Sequence, residues 1–597
     1  MKYQLSILTI ALSSFPAIAG ATNPLEVNVT GTRSYSGFTT AQTIQILTAD
    51  ELNAAGISSL NEALDLLNGV TIARNGSVGS STSMFVRGSN SNHLIVLIDG
   101  QRATSTTDGK TEVEYIPLEL VERIEFVPGG LSTLYGADAI GGVLQIFTKP
   151  LASRAVKQIS TRVGEGHYDL GYLSLGKFSE SGNYRINLGQ TNSSGYDASN
   201  VYADTDDDGF SKRHLDLALS HRVGKLNLSG FLSAWEGTTE FDEDTFSSSN
   251  ATDFYTRRVG AKLEFFSSRI GFDSQFSDLK NDRRNYDQSD RSSFNSTHVD
   301  RTEWTNTANI ELDKELFLTA GFDLRNESAQ STYATGKTET QGVFASLKKS
   351  FKSAQLEGSI RRERQSTYGY QTSWSSGVTV PITDRDELYL SRKFAYANPT
   401  LADLDATYGN ANLVPEGAYT TEAGYRFNQL NGWSGTLSTY ETEFTNLIEF
   451  QSWVLSNIGQ ARTRGVELSL YRQFNSLAFN IDLAYLDSEN MDQNGAPLIN
   501  RAAHQAKLST RYRLSEATSI NLGYQYTGNL TSLDADTYAA KPMPDYALWS
   551  LGASHNYNEN LFIGLHIDNL LDKTYEPVDG FNGRGRYAEA SIRYTFR

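Results

Sequence analysis

Hydrophobic and polar positions follow two different periods along this chain. From Thr48 to Leu67 the sequence TADELNAAGISSLNEALDLL spaces its apolar residues as a helix does, and Thr48 stands three residues before Glu51, as in a capping box. This predicts a short helix, a break at Gly56 and a second helical stretch. Val86-Arg87-Gly88 and Leu94-Ile95-Val96-Leu97-Ile98 then read as buried strands, the second closed by the turn Asp99-Gly100. Residues 38–149 are therefore expected to form a compact α+β domain.

After about residue 150 strict alternation takes over, as in Tyr168-Asp169-Leu170-Gly171-Tyr172-Leu173-Ser174-Leu175 and Leu226-Asn227-Leu228-Ser229-Gly230-Phe231. Similar runs recur at Arg258–Phe266, Leu316–Leu324, Val466–Arg472, Phe479–Tyr485, Ile520–Tyr526 and Phe562–Ile567. Half of each run is apolar and half polar, the pattern of a strand with one face in lipid and one in a wet or filled lumen. A tilted spanning strand takes roughly 9–11 residues and its connections about as many again. Residues 150–597 thus predict a transmembrane β-barrel of about 22 antiparallel strands, wide enough to need the preceding domain as a plug inside its lumen. The last run places Ala588, Ala590, Ile592, Tyr594 and Phe596 on one face and Glu589, Ser591, Arg593, Thr595 and Arg597 on the other. An edge strand of a β-sandwich would alternate in the same way.

The N-terminus helps to decide between them. Met1-Lys2, a short apolar run from Leu5 to Leu12 and the small residues Ala17-Ile18-Ala19 read as a secretory signal over residues 1–19, with residues 20–37 an exported linker. No later segment reaches the roughly 18 apolar residues of a membrane-crossing helix. The 31 Tyr, 29 Phe, 49 Gly and only 12 Pro, at a mean hydropathy of -0.40, suit many strands with aromatic girdles. Absence of Cys removes disulfide, zinc-thiolate and thiol-nucleophile chemistry. A net charge of -17 argues against nucleic acid as a partner.

The segment Ile116–Ile146 (IPLELVERIEFVPGGLSTLYGADAIGGVLQI) is rich in glycine, but it lacks the Lys-Ser/Thr ending of a phosphate loop and the GxGxxG spacing. It resembles the plug of TonB-dependent outer-membrane transporters. Three further blocks resemble the same family. Leu25-Glu26-Val27-Asn28-Val29-Thr30-Gly31 is similar to a Ton box, an extended segment offered to a partner by strand addition. Asn410-Ala411-Asn412-Leu413-Val414-Pro415-Glu416, followed by Glu422 and Gly424, resembles the NPxLxPE motif of the barrel, with Ala411 in place of Pro. His566-Ile567-Asp568-Asn569-Leu570-Leu571-Asp572-Lys573-Thr574-Tyr575 resembles the family's NLxDKxY motif. The last strand resembles the signal read by the barrel-assembly machinery, with Arg597 one residue beyond the terminal aromatic. The short barrel and Phe85-Val86-Arg87-Gly88-Ser89-Asn90 with His93 are similar to the cobalamin transporter subgroup.

Asp204-Thr205-Asp206-Asp207-Asp208-Gly209 alternates carboxylates before a glycine, like the opening half of an EF-hand loop, but its twelfth position is Leu215. A solvated acidic surface would look the same. The resemblance implies a calcium site of another kind, shared by two neighbouring outer loops, with Asp197, Asp204, Asp206, Asp208, Asp242 and Asp253 as ligands and Phe241 offering its carbonyl. It also implies corrinoid contacts at Ser81, Ser83, Asn90, Thr107, Asp108, Glu243, Arg501 and Asp536. Short polar side chains suit corrin amides, and Arg501 a phosphate or an amide carbonyl.

The expected function is active import of cobalamin or a related corrinoid, with calcium as cofactor and with TonB and its inner-membrane energising complex as partners. Outer-membrane lipid and lipopolysaccharide would surround the barrel, and phages or colicins could use its surface. The nearest rival is the same machine carrying a ferric siderophore or haem. A passive porin or calcium-binding adhesin is the rival of another class. An enzyme is disfavoured, because the eight scattered His have no companion catalytic motif.

Overall fold

The computed structural model describes residues 40–596 except 150–155, 166–168, 178, 180–181, 202–204, 244–246, 333, 406–408, 452–453, 494 and 536. The expected signal and Ton box, with Asp204 and Asp536, lie outside the described residues, and of Glu243 only the backbone is described.

The helical pattern after Thr48 gives α1 (Ala49–Ala55) and α2 (Leu60–Leu64). Thr48 Oγ1 accepts from Glu51 N at 3.3 Å while the Glu51 carboxylate accepts from Thr48 N at 2.8 Å, and Gly56 ends the helix. A second capping box, Ser59 with Glu62, starts α2. The strands are β1 (Gln45–Thr48), β2 (Val70–Arg74), β3 (Thr82–Val86), β4 (Leu94–Ile98), β5 (Gln101–Arg102), β6 (Val121–Pro128) and β7 (Gly142–Thr148). Five of them form one sheet in the order β1-β6-β7-β4-β5, and β2-β3 is a separate hairpin. β4 runs parallel to β7 and is buried at all five residues, as its unbroken apolar run requires.

The glycine-rich segment supplies β6, the short helix α3 (Ser132–Tyr135) and β7. Gly129 N donates to Gly141 O at 2.8 Å, which closes the loop around α3. Gly142 has φ 145°, and a Cβ there would come within 2.5 Å of the Val127 carbonyl, so this crossing needs glycine. The glycines shape the plug.

Around it, 22 described strands close into one antiparallel barrel, from Val156–Gly164 to Tyr587–Phe596, and these two strands pair through Thr161 and Ile592. Ile592, Tyr594 and Phe596 point outward, 39–48% exposed, while Glu589 on the opposite face is buried. Outward-facing Phe276, Val343, Ile360, Leu390 and Leu565 continue the apolar band, whereas the inner face carries buried Arg258, Arg361, Glu363 and Thr463. Turns such as Val223 to Leu226 and Phe474 to Leu477 lie at one end. The long connections, Ser193 to Phe210, Ala397 to Glu416, Asn490 to His504, Gly528 to Tyr546 and Asp568 to Tyr587, lie at the other. Short turns at one rim and long loops at the other are the asymmetry of outer-membrane barrels. Among the described residues no helix is long and apolar enough to cross a membrane.

Plug and barrel share their core. Leu60, Leu64, Val96, Ile98, Ile124, Phe126, Leu144 and Ile146 pack with Phe210, Trp235 and Phe254 of the barrel wall. Tyr115 stacks on Phe254 with ring centroids 3.8 Å apart.

Candidate functional site

Three plug loops reach the rim that carries the long connections. The loop between β2 and β3 meets the acidic loop, where Tyr196 OH donates to Gly76 O at 3.2 Å. The loop before β4 meets the Asn490–His504 connection through Asn90 and Arg501. The loop after β5 meets the Ala397–Glu416 connection, where Ala402 N donates to Thr107 O at 2.8 Å.

The acidic loop crosses itself. Asp208 N donates to Tyr196 O at 3.3 Å and Ala198 N to the Asp208 carboxylate at 3.3 Å. At Gly195 (φ 74°) a Cβ would collide with the Asp208 carbonyl. Asp208 is only 3% exposed. Burial, with the charges of Asp242, Asp206 and Asp197 close by, pushes its carboxyl up to about 8. Asp197 is half-buried, and its Oδ1 has no hydrogen-bond partner among the described residues. Asp206 is exposed and Asp242 half-buried, and strand pairing slips between Phe241 and Glu243. Four of the expected ligands are thus gathered into one electrostatic group. Asp253 is turned elsewhere: it accepts from Thr238 Oγ1 at 2.8 Å and Tyr286 OH at 3.2 Å on the outward face, while its neighbour Phe254 packs inward against the plug. Among the described residues no three acidic or His side chains already stand at metal-holding distance.

The expected corrinoid contacts separate into free and engaged groups. Ser81 is exposed and Ser83 half-buried. Thr107 is buried, and Asp108 accepts from Lys110 N at 3.2 Å within its own turn. Arg501 is not presented to the vestibule. It is buried over the Phe85 ring at 4.6 Å, donating to Gly88 O at 3.2 Å, to Ile499 O and to Asn90 Oδ1. Asn90 in turn donates to Ile448 O at 3.2 Å. Arg501 and Asn90 therefore clamp the plug to the rim.

Sequence reading did not connect the charges that fasten the plug deeper in the barrel. Arg87 reaches Glu467 at 2.6 Å and Glu422 at 3.0 Å, all three side chains at most 4% exposed, and lies over the Tyr440 ring at 4.3 Å. Glu422 also accepts from Thr43 N at 2.9 Å and Thr43 Oγ1 at 2.6 Å. Ala41 N is held by Glu357 at 3.1 Å, Gln42 Oε1 by Lys393 at 2.8 Å, and the Thr40 carbonyl by Arg426. The buried His93 meets Glu416 at 2.8 Å. Glu416 and Glu422 belong to the mid-barrel motif quoted above, which was the one available signal for these contacts.

A plug held by buried ion pairs inside a closed 22-stranded barrel defines a class. The barrel matches the model of the TonB dependent receptor-like β-barrel over residues 159–570, and the plug matches the TonB-dependent receptor plug domain over residues 36–143. The chain belongs to the TonB-dependent receptor family, and is an outer-membrane transport protein rather than an enzyme. Within that family it is 29% identical over 573 residues to the vitamin B12 transporter BtuB of Photobacterium profundum, covering 93% of this chain and 92% of that protein. It is 28% identical to the vitamin B12 transporter BtuB of Vibrio cholerae over 621 residues, covering 99% of this chain and all of that protein. Among solved structures, the ferric enterobactin receptor PfeA of Pseudomonas aeruginosa superposes with TM-score 0.80 at 17% identity, over 94% of this chain and 100% of the other. The siderophore receptor PirA of Acinetobacter baumannii superposes with TM-score 0.79 at 14% identity, over 93% and 98% of the two chains. At such identities the superpositions speak for the fold alone.

Proposed function

We propose that the chain imports cobalamin or a related corrinoid across the outer membrane, with calcium ordering the acidic outer loops. The observation that carries this reading is the grouping of Asp197, Asp206, Asp208 and Asp242 around a buried, high-pKa carboxyl. Like charges held together in this way call for a cation. The unpartnered Oδ1 of Asp197 fits the same need. Asp197, Asp206, Asp208 and Asp242 would hold the calcium ion, with Asp204 and the Phe241 carbonyl completing the set, and the ion would supply the positive charge that lets these carboxylates ionise together. Asp253, as oriented here, is the least suited of the expected ligands. Full-length similarity to two vitamin B12 transporters supports the cargo.

Cargo would settle on Ser81 and Ser83, at the start of β3, and on Asp108 in the loop after β5, beneath the outer loops, while Asn90 stays engaged with Arg501 and Ile448. Thr107 and Arg501 would act by holding those loops in place. TonB would pair with Leu25–Gly31 by strand addition and pull. The pull would reach Thr40–Thr43 first. Those residues are fastened to Glu357, Lys393, Glu422 and Arg426, and Glu422 shares its carboxylate with Arg87, at the end of β3. Loosening Thr43 would thus remove one of the partners that hold Glu422 against the plug arginine.

Binding of radiolabelled cyanocobalamin to membranes bearing the chain, with and without EDTA, tests the reading. Saturable binding at nanomolar to micromolar concentration, weakened by EDTA, is expected. No saturable binding would overturn the corrinoid cargo, and binding indifferent to EDTA would overturn the calcium role. The second reading, a ferric siderophore or haem, predicts competition by an iron chelate instead. A passive porin or adhesin would be indifferent to loss of Leu25–Gly31, and family membership speaks against it.

A further inference from the structure

The acidic loop is built into two other parts of the molecule at once. On its inner side Tyr196 N donates to Ser77 Oγ at 3.2 Å and Tyr196 OH to Gly76 O at 3.2 Å, both in the plug loop between β2 and β3. On its outer side it pairs with the last long connection like a short strand. Asn200 N donates to Gly580 O at 3.1 Å, Asn582 N to Ala198 O at 2.8 Å, and Asn582 Nδ2 to Asp197 O at 3.2 Å. All of these contacts fall within the five residues Tyr196–Asn200.

The last connection is itself a folded unit. Asn569 binds the carbonyls of Lys573 at 2.8 Å and Arg584 at 3.0 Å and accepts from Lys573 N at 2.8 Å, so the Asn569–Tyr575 motif ties the base of the loop to itself. Tyr575 lies against Tyr546 with ring centroids 4.7 Å apart. Further along, Asp579 pairs with Lys541 at 2.7 Å and accepts from Ala535 N at 2.9 Å, anchoring the hairpin of Leu530–Leu533 and Ala540–Met543. A displacement at Gly76 or Ser77 therefore has a continuous hydrogen-bonded route to Asp579 and the hairpin beyond it. Chains of packed, hydrogen-bonded groups of this kind carry coupling only where both ends bias the same element. Here that element is the crossed segment from Tyr196 to Asn200.

We propose that Tyr196 and Asn582 are positioning residues that couple the plug loop 75–81 to the last long connection, 569–586, so that cargo seated on the plug draws this connection over it. The closure half of this inference rests on the transport reading above, whereas the coupling between the loops does not.

Hydrogen exchange on the full-length protein in detergent micelles separates the two. In Tyr196→Phe, which removes only a hydroxyl on the plug side, amides of 576–582 should exchange about fivefold faster, the change expected for one neutral hydrogen bond. In Asn582→Ala, which acts on the outer side, amides of 75–81 should exchange faster in return. Changes confined to 194–200 in both variants would overturn the coupling. Ser77→Ala provides a milder variant should either protein lose its heat-modifiable barrel, and it must show the same remote effect. Adding cyanocobalamin to the parent should slow 75–81 and 576–582 together. Slowing of 75–81 alone overturns the closure. Failure of cobalamin to bind overturns the cargo reading while leaving the first result intact.

Discussion

Replacing Arg87 by Met should loosen the plug strongly. The substitution removes a guanidinium that is 3% exposed and leaves Glu422 and Glu467, 0% and 4% exposed, without their shared counter-charge. Removing one member of a buried ion pair costs about 3–5 kcal/mol, because the remaining charge is stranded in a low-dielectric site. At 1.36 kcal/mol per power of ten, that raises the open population of the β2-β3 hairpin by roughly two to nearly four powers of ten. Native-state hydrogen exchange reads this at the amides of residues 85 and 87, on the β2 side of the hairpin, where the N–H of residue 87 donates to Gly69 O at 3.0 Å, while the barrel's resistance to dodecyl sulfate at room temperature serves as a control. The triple variant Arg87→Met, Glu422→Gln, Glu467→Gln should recover part of the loss, since no carboxylate is then stranded, although the buried Lys393 loses the nearby charge of Glu422. Exchange in Arg87→Met within threefold of the parent would refute the placement of the lock. So would a triple variant as open as the single one.

If the acidic loop holds calcium as proposed, Asp208 would make that binding pH-dependent. Its carboxyl is raised to about 8, so without calcium it holds a proton at neutral pH, and a binding cation must displace it. Apparent affinity, read by isothermal titration calorimetry, should rise up to about tenfold per pH unit below 8 and level off above it, whereas Asp208→Asn should be weak and flat. Without calcium the raised pKa also means that the loop loses stability as pH climbs from the ordinary carboxylate range through 8, so protease nicking of 194–209 should increase with pH and calcium should suppress it. Gly142→Ala should destabilise the plug by about 1–3 kcal/mol, through a strained backbone and the clash with the Val127 carbonyl, measured by urea titration of plug exchange. Arg501→Ala should free the loop Gly88–Asn90, seen as faster exchange there, and weaken cargo binding without touching the cargo itself.

Local chemistry was legible in the sequence wherever one segment carried its own signal. The capping box at Thr48 and Glu51, the break at Gly56 and the alternation of Ala588 to Phe596 each reappear at the residues expected. Helix α3 gave no such signal, because four residues are too few to display a period. The acidic loop announced itself by composition, but Asp253 shows what spacing leaves open: in a strand, one residue decides which face a side chain takes, and Asp253 took the face opposite Phe254. Arg501 could be expected near the cargo because it is a long cation on an outer loop, yet the carbonyl of Gly88 and the side chain of Asn90 already occupy it. The partners of Arg87 stand 335 and 380 residues away, where no local pattern can join them and only the closed barrel brings them together.

Cobalamin uptake in a bacterial strain deprived of its own cobalamin receptor tests whether the chain imports a corrinoid. The full chain should restore accumulation of labelled cyanocobalamin, and deleting TonB or Leu25–Gly31 should abolish it while surface binding persists. A chain that assembles in the outer membrane, yet restores uptake of a ferric chelate and none of cobalamin, would contradict the account.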